Sequence, residues 1–193
     1  MMTTFWLLPL AYLIGSFPTA YLSGRIFKNI DIRSQGSGNV GGMNTYRTAG
    51  LLPGIITVLV DILKGVLAVM LALSLPVEQL TVLACGILVV LGHNYSLFLK
   101  FKGGKGLATT LGVFIMISPV TIAFTVACAV LLSLILRDIN TAFGSAALSI
   151  PVVLAFQYAD WNWIVFGLVV AIIIVLKHIP DYRAYAKGRR NFL

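Results

Sequence analysis

The sequence predicts an all-α integral membrane protein with seven transmembrane segments, the N-terminus outside and the C-terminus in the cytoplasm. Of its 193 residues, 59% are hydrophobic and only 10% are charged, whereas charged residues make up about a quarter of a soluble domain. Several apolar runs approach the roughly 20 residues that a helix needs to cross a bilayer. The basic residues are confined to alternate connections. We expect one polytopic membrane domain over residues 1–193.

Seven apolar segments follow one another along the chain. The first is longer than the apolar region of a signal peptide and has no basic residue ahead of it, so we expect a retained span. The fourth is about 16 Å long at 1.5 Å per residue, which is too short to cross alone. The Ser118-Pro119 pair separates it from the fifth. The segments are Phe5–Phe27, Leu51–Leu75, Leu80–Leu99, Leu107–Ile117, Val120–Leu136, Ala142–Phe156 and Trp163–Leu176.

The distribution of basic residues predicts the orientation of these segments. All of the fourteen Lys and Arg residues except Lys64 lie beside alternate connections or in the C-terminal tail. Because basic residues remain on the cytoplasmic side, this places motif-bearing loops at about 28–50, 93–106 and 177–193 in the cytoplasm. A single helix over 107–136 would put the basic tail outside. The net charge of +8 therefore reflects topology, and we expect no nucleic-acid partner.

The first cytoplasmic loop has the composition of an anion-binding site. Residues 36–47 read Gly-Ser-Gly-Asn-Val-Gly-Gly-Met-Asn-Thr-Tyr-Arg. Glycines let backbone N–H groups converge on an anion, and the polar side chains add donors suited to phosphate. The loop satisfies G-x-G-x-x-G, but no βαβ pattern surrounds it, which argues against a dinucleotide fold. A flexible connection between spans is the alternative. The candidate residues are Gly36, Ser37, Gly38, Asn39, Asn44 and Arg47.

A second glycine-rich, basic turn precedes the fourth segment. Residues 100–106 read Lys-Phe-Lys-Gly-Gly-Lys-Gly, which brings a mobile cation and exposed N–H groups to a helix N-terminus, as at phosphate sites. It is not a nucleotide P-loop, because Gly106 stands where Ser or Thr would hold magnesium. Lysines that merely flank a membrane span are the alternative. The candidates here are His93, Gly103, Gly104, Lys105 and Gly106.

Few other residues suggest a catalytic or ligand-binding role. His93 and His178 both fall at the inner ends of spans, where an imidazole contacts either a substrate or a structural partner. Asp61 and Lys64 lie one turn apart in the second segment and are interpreted as a structural pair that neutralises itself. The two cysteines match no metal or disulfide pattern, and no nucleophile elbow is present. We expect no metal site, no cofactor and no covalent catalysis.

Together these motifs resemble the acyl-phosphate:glycerol-3-phosphate acyltransferases of bacterial membranes. The matching stretches are 15–18, 36–47, 61–65 and 92–109, and the resemblance covers nearly the whole chain. It implies seven spans in the bacterial inner membrane with the active face in the cytoplasm. It also implies transfer of a fatty acyl group from acyl phosphate to glycerol 3-phosphate, which gives lysophosphatidate and phosphate for phospholipid biosynthesis. Membrane lipids and an enzyme that supplies acyl phosphate are the partners it suggests.

The resemblance also implies catalytic roles. Ser37 and Arg47 would grip glycerol phosphate, Lys105 would be the main cation of the phosphate loop, and His178 would help to seat substrate. The third motif, which lies in the loop at about 177–193, departs from the family pattern, since Asp181 replaces an asparagine and follows Pro180. We include Asp181 among the phosphate-binding candidates. Arg189-Arg190 stand where a glutamate is usual, and Met43 replaces a common threonine.

Two other functions remain open from the sequence. A transporter or flippase of a phosphorylated solute or lipid would use the basic loops as a vestibule, but it needs a polar route across the bilayer. Apart from Asp61, Lys64 and Arg25 at the boundary of the first segment, the spans carry no charged residue. A weakened paralogue that acts on a different phosphorylated acceptor is the other alternative.

Overall fold

The computed structural model describes residues 5–189, and all regular secondary structure in that range is helical. The chain divides into two units, the first ending at Met116 and the second beginning at Ile117. Helices α1 to α6 form the first unit, with α6 ending at the boundary, and α7 to α10 form the second. They are α1 (Leu7–Ser16), α2 (Thr19–Lys28), α3 (Gly42–Ala49), α4 (Leu51–Leu73), α5 (Gln79–Asn94), α6 (Leu107–Ile117), α7 (Pro119–Leu136), α8 (Ile139–Ala146), α9 (Ser149–Tyr158) and α10 (Trp161–Ala186).

Five helical stretches between residues 5 and 189 are long and apolar enough to cross a membrane. They are Leu51–Leu73, Gln79–Leu99, Pro119–Leu136, Ile139–Tyr158 and Trp161–Ala186. The all-helical, multi-pass character expected from composition is therefore present. The other two segments of the sequence prediction are shorter, since the first is divided into two helices of 10 residues each and α6 has 11. The count of seven spans and the orientation of the termini stay predictions.

Prolines account for two of the breaks between helices. Phe17, which precedes Pro18, has extended backbone angles of φ −51° and ψ 124°, because the ring of a proline disfavours the helical conformation of the residue before it. The expected break at Ser118-Pro119 is confirmed. Ser118 caps α7 by accepting the N–H of Thr121 at 3.4 Å, and Pro119 takes the first helical position, where its missing N–H costs nothing.

Close backbone contacts at glycines hold the first unit together. A Cβ atom on any of these glycines would overlap the carbonyl of a facing helix, and such small residues let membrane helices pack at short range. The contacts fix the end of α5 against α1 and the start of α6 against α4, on either side of the second loop. The pairs are Gly15 with Val89, Gly92 with Tyr12, Gly65 with Thr109 and Gly112 with Ile62.

The second unit is joined by polar contacts as well as by apolar packing. Ser118 Oγ donates to Gln157 Oε1 at 2.8 Å, and the Tyr158 hydroxyl donates to the Ile117 carbonyl at 3.1 Å, so the end of α9 lies beside the start of α7. Gly144 of α8 packs against the ring of His178 on α10. The interior of this unit therefore surrounds the histidine that the sequence singled out.

Candidate active site

The first loop is organised by one buried side chain, Asn44. Gly36 and Gly38 have φ values of +57° and +70°, in the left-handed region that favours glycine. Asn44 is 2% exposed, and its Oδ1 accepts the backbone N–H of Ser37 at 3.0 Å. Its amide nitrogen donates to three carbonyls of the same stretch, those of Ile32 at 3.2 Å, Gln35 at 3.1 Å and Asn39 at 3.0 Å. Asn44 thus ties the loop to α3.

Ser37 and Arg47 lie at the solvent side of this arrangement. Both residues are exposed, and Ser37 Oγ accepts the N–H of Asn39 at 3.4 Å. Arg47 follows Asn44 by three residues, so the two lie on neighbouring turns of α3, Asn44 buried and Arg47 exposed. The loop therefore presents a hydroxyl and a guanidinium outward while Asn44 faces inward. Binding by Asn39 and Asn44 stays a prediction, and we expect Asn44 to contribute by shaping the loop.

An ion-pair cluster fixes the chain just before the first loop. The Arg33 guanidinium contacts both carboxylate oxygens of Asp31, at 3.0 and 2.7 Å, and Arg25 lies 3.8 Å from the same carboxylate. The hydrogen bond from Arg33 lowers the pKa of Asp31 from 3.8 to about 2. The guanidinium of Arg25 lies 5.4 Å from the centre of the Tyr21 ring, and the guanidinium of Arg33 lies 5.1 Å from it. These contacts hold the end of α2 against the residues that lead into the loop.

The second loop is bonded back onto the end of α5. The N–H groups of Gly103 and Gly104 donate to the carbonyls of Asn94 and His93, at 3.2 and 3.1 Å. These two amides were expected to line a phosphate, and the structure uses them within the chain instead. Gly106 has φ +86° and leads into α6, whose first N–H groups have no acceptor within the helix. The N–H groups at the start of α6 are therefore the backbone donors of this loop that suit an anion.

The two loops meet in the first unit. A Cβ atom on Gly104 would lie 2.5 Å from the carbonyl oxygen of Val40, which belongs to the first loop. Beneath this contact, buried apolar side chains from both loops and from α2 pack together; they are Ala20, Ile32, Val40 and Leu99. The sequence could not show this contact, because nothing in either loop's composition identifies its neighbour.

The charged pair of α4 reaches the second loop. Lys64 Nζ lies 2.6 Å from Asp61 Oδ1, as expected for a pair at this spacing, and Nδ1 of His93 lies 3.6 Å from the same oxygen. The contact with His93 was missed from the sequence. The available signal was an uncommon charged pair inside an apolar span, which favours function.

The third motif belongs to the second unit and is helical. α10 continues through Pro180 to Ala186. His178 is fully buried, and its Nδ1 lies 2.8 Å from the carbonyl of Ile174, a contact that fixes the ring on its own helix. Asp181 is partly buried, and Arg190 lies outside the described residues. That His178 and Asp181 act together with the first two loops stays a prediction.

The family model for glycerol-3-phosphate acyltransferase matches residues 5–188 of the chain. The chain belongs to the glycerol-3-phosphate acyltransferase family. Among curated relatives, a glycerol-3-phosphate acyltransferase of Geotalea daltonii is 40% identical over 181 residues, which are 94% of this chain and 93% of the relative. The glycerol-3-phosphate acyltransferase 2 of Moorella thermoacetica is 40% identical over 192 residues, 97% of each chain.

Solved structures of the same family share the fold. The crystal structure of PlsY (YgiH), an integral membrane glycerol 3-phosphate acyltransferase, in its glycerol 3-phosphate form matches with a TM-score of 0.90 and 30% identity over 98% of this chain and 94% of that one. Its lysophosphatidic acid form matches with a TM-score of 0.88. The resemblance drawn from the motifs is therefore confirmed, as are an acyltransferase and a multi-pass membrane protein. The roles of individual residues stay predictions.

Proposed function

We propose that this chain transfers a fatty acyl group from acyl phosphate to glycerol 3-phosphate and releases lysophosphatidate and phosphate. The observation that supports this reaction is the contact between the two glycine loops, where Gly104 packs on the carbonyl of Val40. One loop carries Arg47 and the other carries Lys105. Transfer between two phosphorylated molecules requires two anion sites side by side, and holding both reactants in that geometry supplies much of the rate.

We also propose that the reaction takes place at the cytoplasmic face of the bacterial inner membrane. We propose seven spans, in which α1 with α2 forms the first and α6 forms the fourth. The N-terminus is then outside and the C-terminus inside. The support is the charge distribution, because the loops that carry Arg47 and Lys105 then lie with the other basic residues on the cytoplasmic side. Glycerol 3-phosphate is soluble, so it reaches such a site from the cytoplasm.

Acyl transfer from a mixed anhydride needs alignment more than covalent help from the enzyme. The glycerol hydroxyl oxygen forms a bond to the acyl carbon, the bond from that carbon to the phosphate oxygen breaks, and inorganic phosphate leaves with the electron pair. The hydroxyl proton passes to a phosphate oxygen of the substrates. Lys105 and the N–H groups at the start of α6 stabilise the charge on the leaving phosphate. We assign no covalent intermediate.

The first loop binds the acceptor in this scheme. Ser37 and Arg47 grip the phosphate of glycerol 3-phosphate, and the left-handed backbone at Gly36 and Gly38 shapes the path of the chain between them. Asn39 adds a donor. His178 and Asp181 are further candidates for contact with substrate.

An apolar cavity beside α3 suits the hydrocarbon tail of the donor. Its volume is about 250 Å³, and almost all of its lining is apolar. It lies between α3, which carries Arg47, and the lipid-facing side of α4, so a tail can enter it from the bilayer. The lining includes Met43, Tyr46, Ile55, Val58 and Leu59.

A reconstitution assay tests the proposal. Purified protein in liposomes is supplied with acyl phosphate and, in separate reactions, with glycerol 3-phosphate or other phosphorylated acceptors. We expect lysophosphatidate and stoichiometric phosphate with glycerol 3-phosphate. Uptake of the solute without chemistry would favour a transporter and contradict the proposal. Efficient acylation of another acceptor alone would favour a paralogue with a different substrate.

Lys105→Ala is the matching site test. We expect kcat/KM to fall at least about a hundredfold, as when a donor to a developing oxyanion is removed. Lys102→Ala is the control, because Lys102 is an exposed lysine of the same loop; we expect its activity to stay within about twofold of wild type, the small effect of an exposed charge. Near-normal turnover by Lys105→Ala would contradict the assigned role.

A further inference from the structure

A buried line of polar contacts runs from the middle of the first unit to the phosphate loop. Asp61 and Lys64 of α4 are 2% and 5% exposed. Lys64 Nζ donates to Asp61 Oδ1 at 2.6 Å and to the carbonyl of Phe17, where α1 ends, also at 2.6 Å. The lysine therefore anchors the carboxylate and shares the Phe17 carbonyl with the N–H of Thr19. The carboxylate is fixed in place from one side.

His93 lies between this carboxylate and the second loop. It is 8% exposed, and its Nδ1 is 3.6 Å from Asp61 Oδ1. On the opposite side of the ring, a Cβ atom on Gly104 would overlap Nε2. The backbone carbonyl of His93 also accepts the N–H of Gly104 at 3.1 Å. The residue before Lys105 is thus held by His93 through both its side chain and its backbone.

The contact with His93 goes beyond what charge neutralisation needs. Asp61 and Lys64 neutralise each other at i, i+3 without help from another helix. At 3.6 Å the two atoms lie just beyond hydrogen-bond distance, but the negative carboxylate favours a proton on the nitrogen that faces it, and this electrostatic contact orients the ring. The ring nitrogen left over is then the one that faces Gly104.

We propose that Asp61 is a positioning residue, which acts through the imidazole of His93 to fix the Gly103-Gly104 turn and so the placement of Lys105 at the donor phosphate. The inference rests on the proposed acyl transfer and deepens the account of its phosphate loop. It assigns Asp61 and Lys64 a part in the reaction without contact with substrate. It also places His93 behind the phosphate loop and not among the groups that contact phosphate.

A double-mutant cycle between Asp61 and His93 tests the inference. Asp61→Asn keeps the shape of the side chain and removes its charge, and His93→Gln removes the ring. We expect each to lower kcat/KM for acyl phosphate about 10- to 100-fold, the range for removal of groups that orient a ligand. Because both act through one ring, the double variant should be no worse than the poorer single variant. Effects that multiply would overturn the inference.

The KM for glycerol 3-phosphate distinguishes positioning from a general structural role. The residues assigned to glycerol 3-phosphate are held by Asn44 and not by Asp61, so Asp61→Asn should change this KM less than it changes kcat/KM for acyl phosphate. A structural role would change the kinetics of both substrates together and lower the melting temperature. An equal loss for both substrates would therefore refute the assignment.

Two further variants keep the test informative. Asp61→Asn leaves the buried Lys64 unpaired, so the pair is also replaced as Asp61→Asn with Lys64→Met, which keeps the net charge of the wild type and should reproduce the loss in kcat/KM. Asp160→Asn removes a carboxylate that caps α10 in the second unit and should retain wild-type kinetics. If the neutral pair variant folds and has full activity, the inference fails. If wild-type protein gives no acyl transfer at all, the proposed function fails instead.

Discussion

Asn44→Asp is the sharpest test of how the first loop is built. The change keeps the shape of the side chain and the oxygen that accepts the Ser37 N–H, but it removes the two N–H donors that now serve three carbonyls at 3.0 to 3.2 Å. At roughly 1–2 kcal/mol for each buried donor lost, the ordered loop becomes about 2–4 kcal/mol less favourable. Since about 1.4 kcal/mol corresponds to tenfold, the KM for glycerol 3-phosphate should rise roughly 30- to 1,000-fold.

The assay is steady-state acylation of glycerol 3-phosphate in liposomes, with a thermal melt of the same preparation. The fold should survive, because α3 packs on α4 through Tyr46 and Gly54 independently of the loop. Gln35→Glu is the matched control, since it adds a negative charge in the same loop at an exposed side chain. The reasoning is refuted if Asn44→Asp leaves the KM within about threefold, or if Gln35→Glu raises it equally; both thresholds are small beside the tenfold that 1.4 kcal/mol gives.

Three further predictions follow from local geometry. Gly104→Ala places a methyl group against the Val40 carbonyl, which costs about 1–3 kcal/mol of overpacking. We expect this variant to lower kcat/KM at least about tenfold. Gly24→Ala is the control, because a Cβ atom at Gly24 has its nearest contact at 3.3 Å, and it should retain most activity. The pKa of Asp31 is lowered to about 2, so its contribution to stability is present above pH 3.8 and is lost as the pH falls towards 2; thermal melts of Asp31→Asn should lack this pH dependence. Val58→Phe narrows the cavity beside α3 and should shift the preference in competition assays towards shorter acyl phosphates.

Composition predicted the five long apolar helices well because the bilayer imposes a simple requirement. Every backbone group within it must be satisfied internally, so long apolar runs become helices. The Ser118-Pro119 break was also predictable, since proline starts α7 with a serine cap. The division of the sixth segment, where α8 ends at Ala146 and α9 begins at Ser149, was not predicted, although Pro151 in the first turn of α9 cannot donate an N–H to the turn before it.

The residue types of the candidate site were predictable from the sequence, but the directions in which their side chains and N–H groups point were not. Glycines and cations marked both loops, yet the sequence could not show that Asn44 points inward or that the N–H groups of Gly103 and Gly104 are used by the carbonyls of α5. Nor could it pair His93 with Asp61, because the two are separated by a complete connection between helices. Such choices are made by tertiary contacts, which residue type and local spacing do not encode.

These contacts show that the glycines of the second loop serve close packing rather than flexibility. A glycine-rich connection is ordinarily flexible, since glycine loses more conformational freedom on folding than any other residue. Here the space that a Cβ atom would need at Gly103 is filled by the backbone of His93 and Asn94, and at Gly104 by His93 and Val40. The glycines therefore permit close packing, which makes the loop rigid. A rigid loop avoids the cost of ordering when phosphate binds, and in the proposed reaction it holds Lys105 in position before the acyl phosphate arrives.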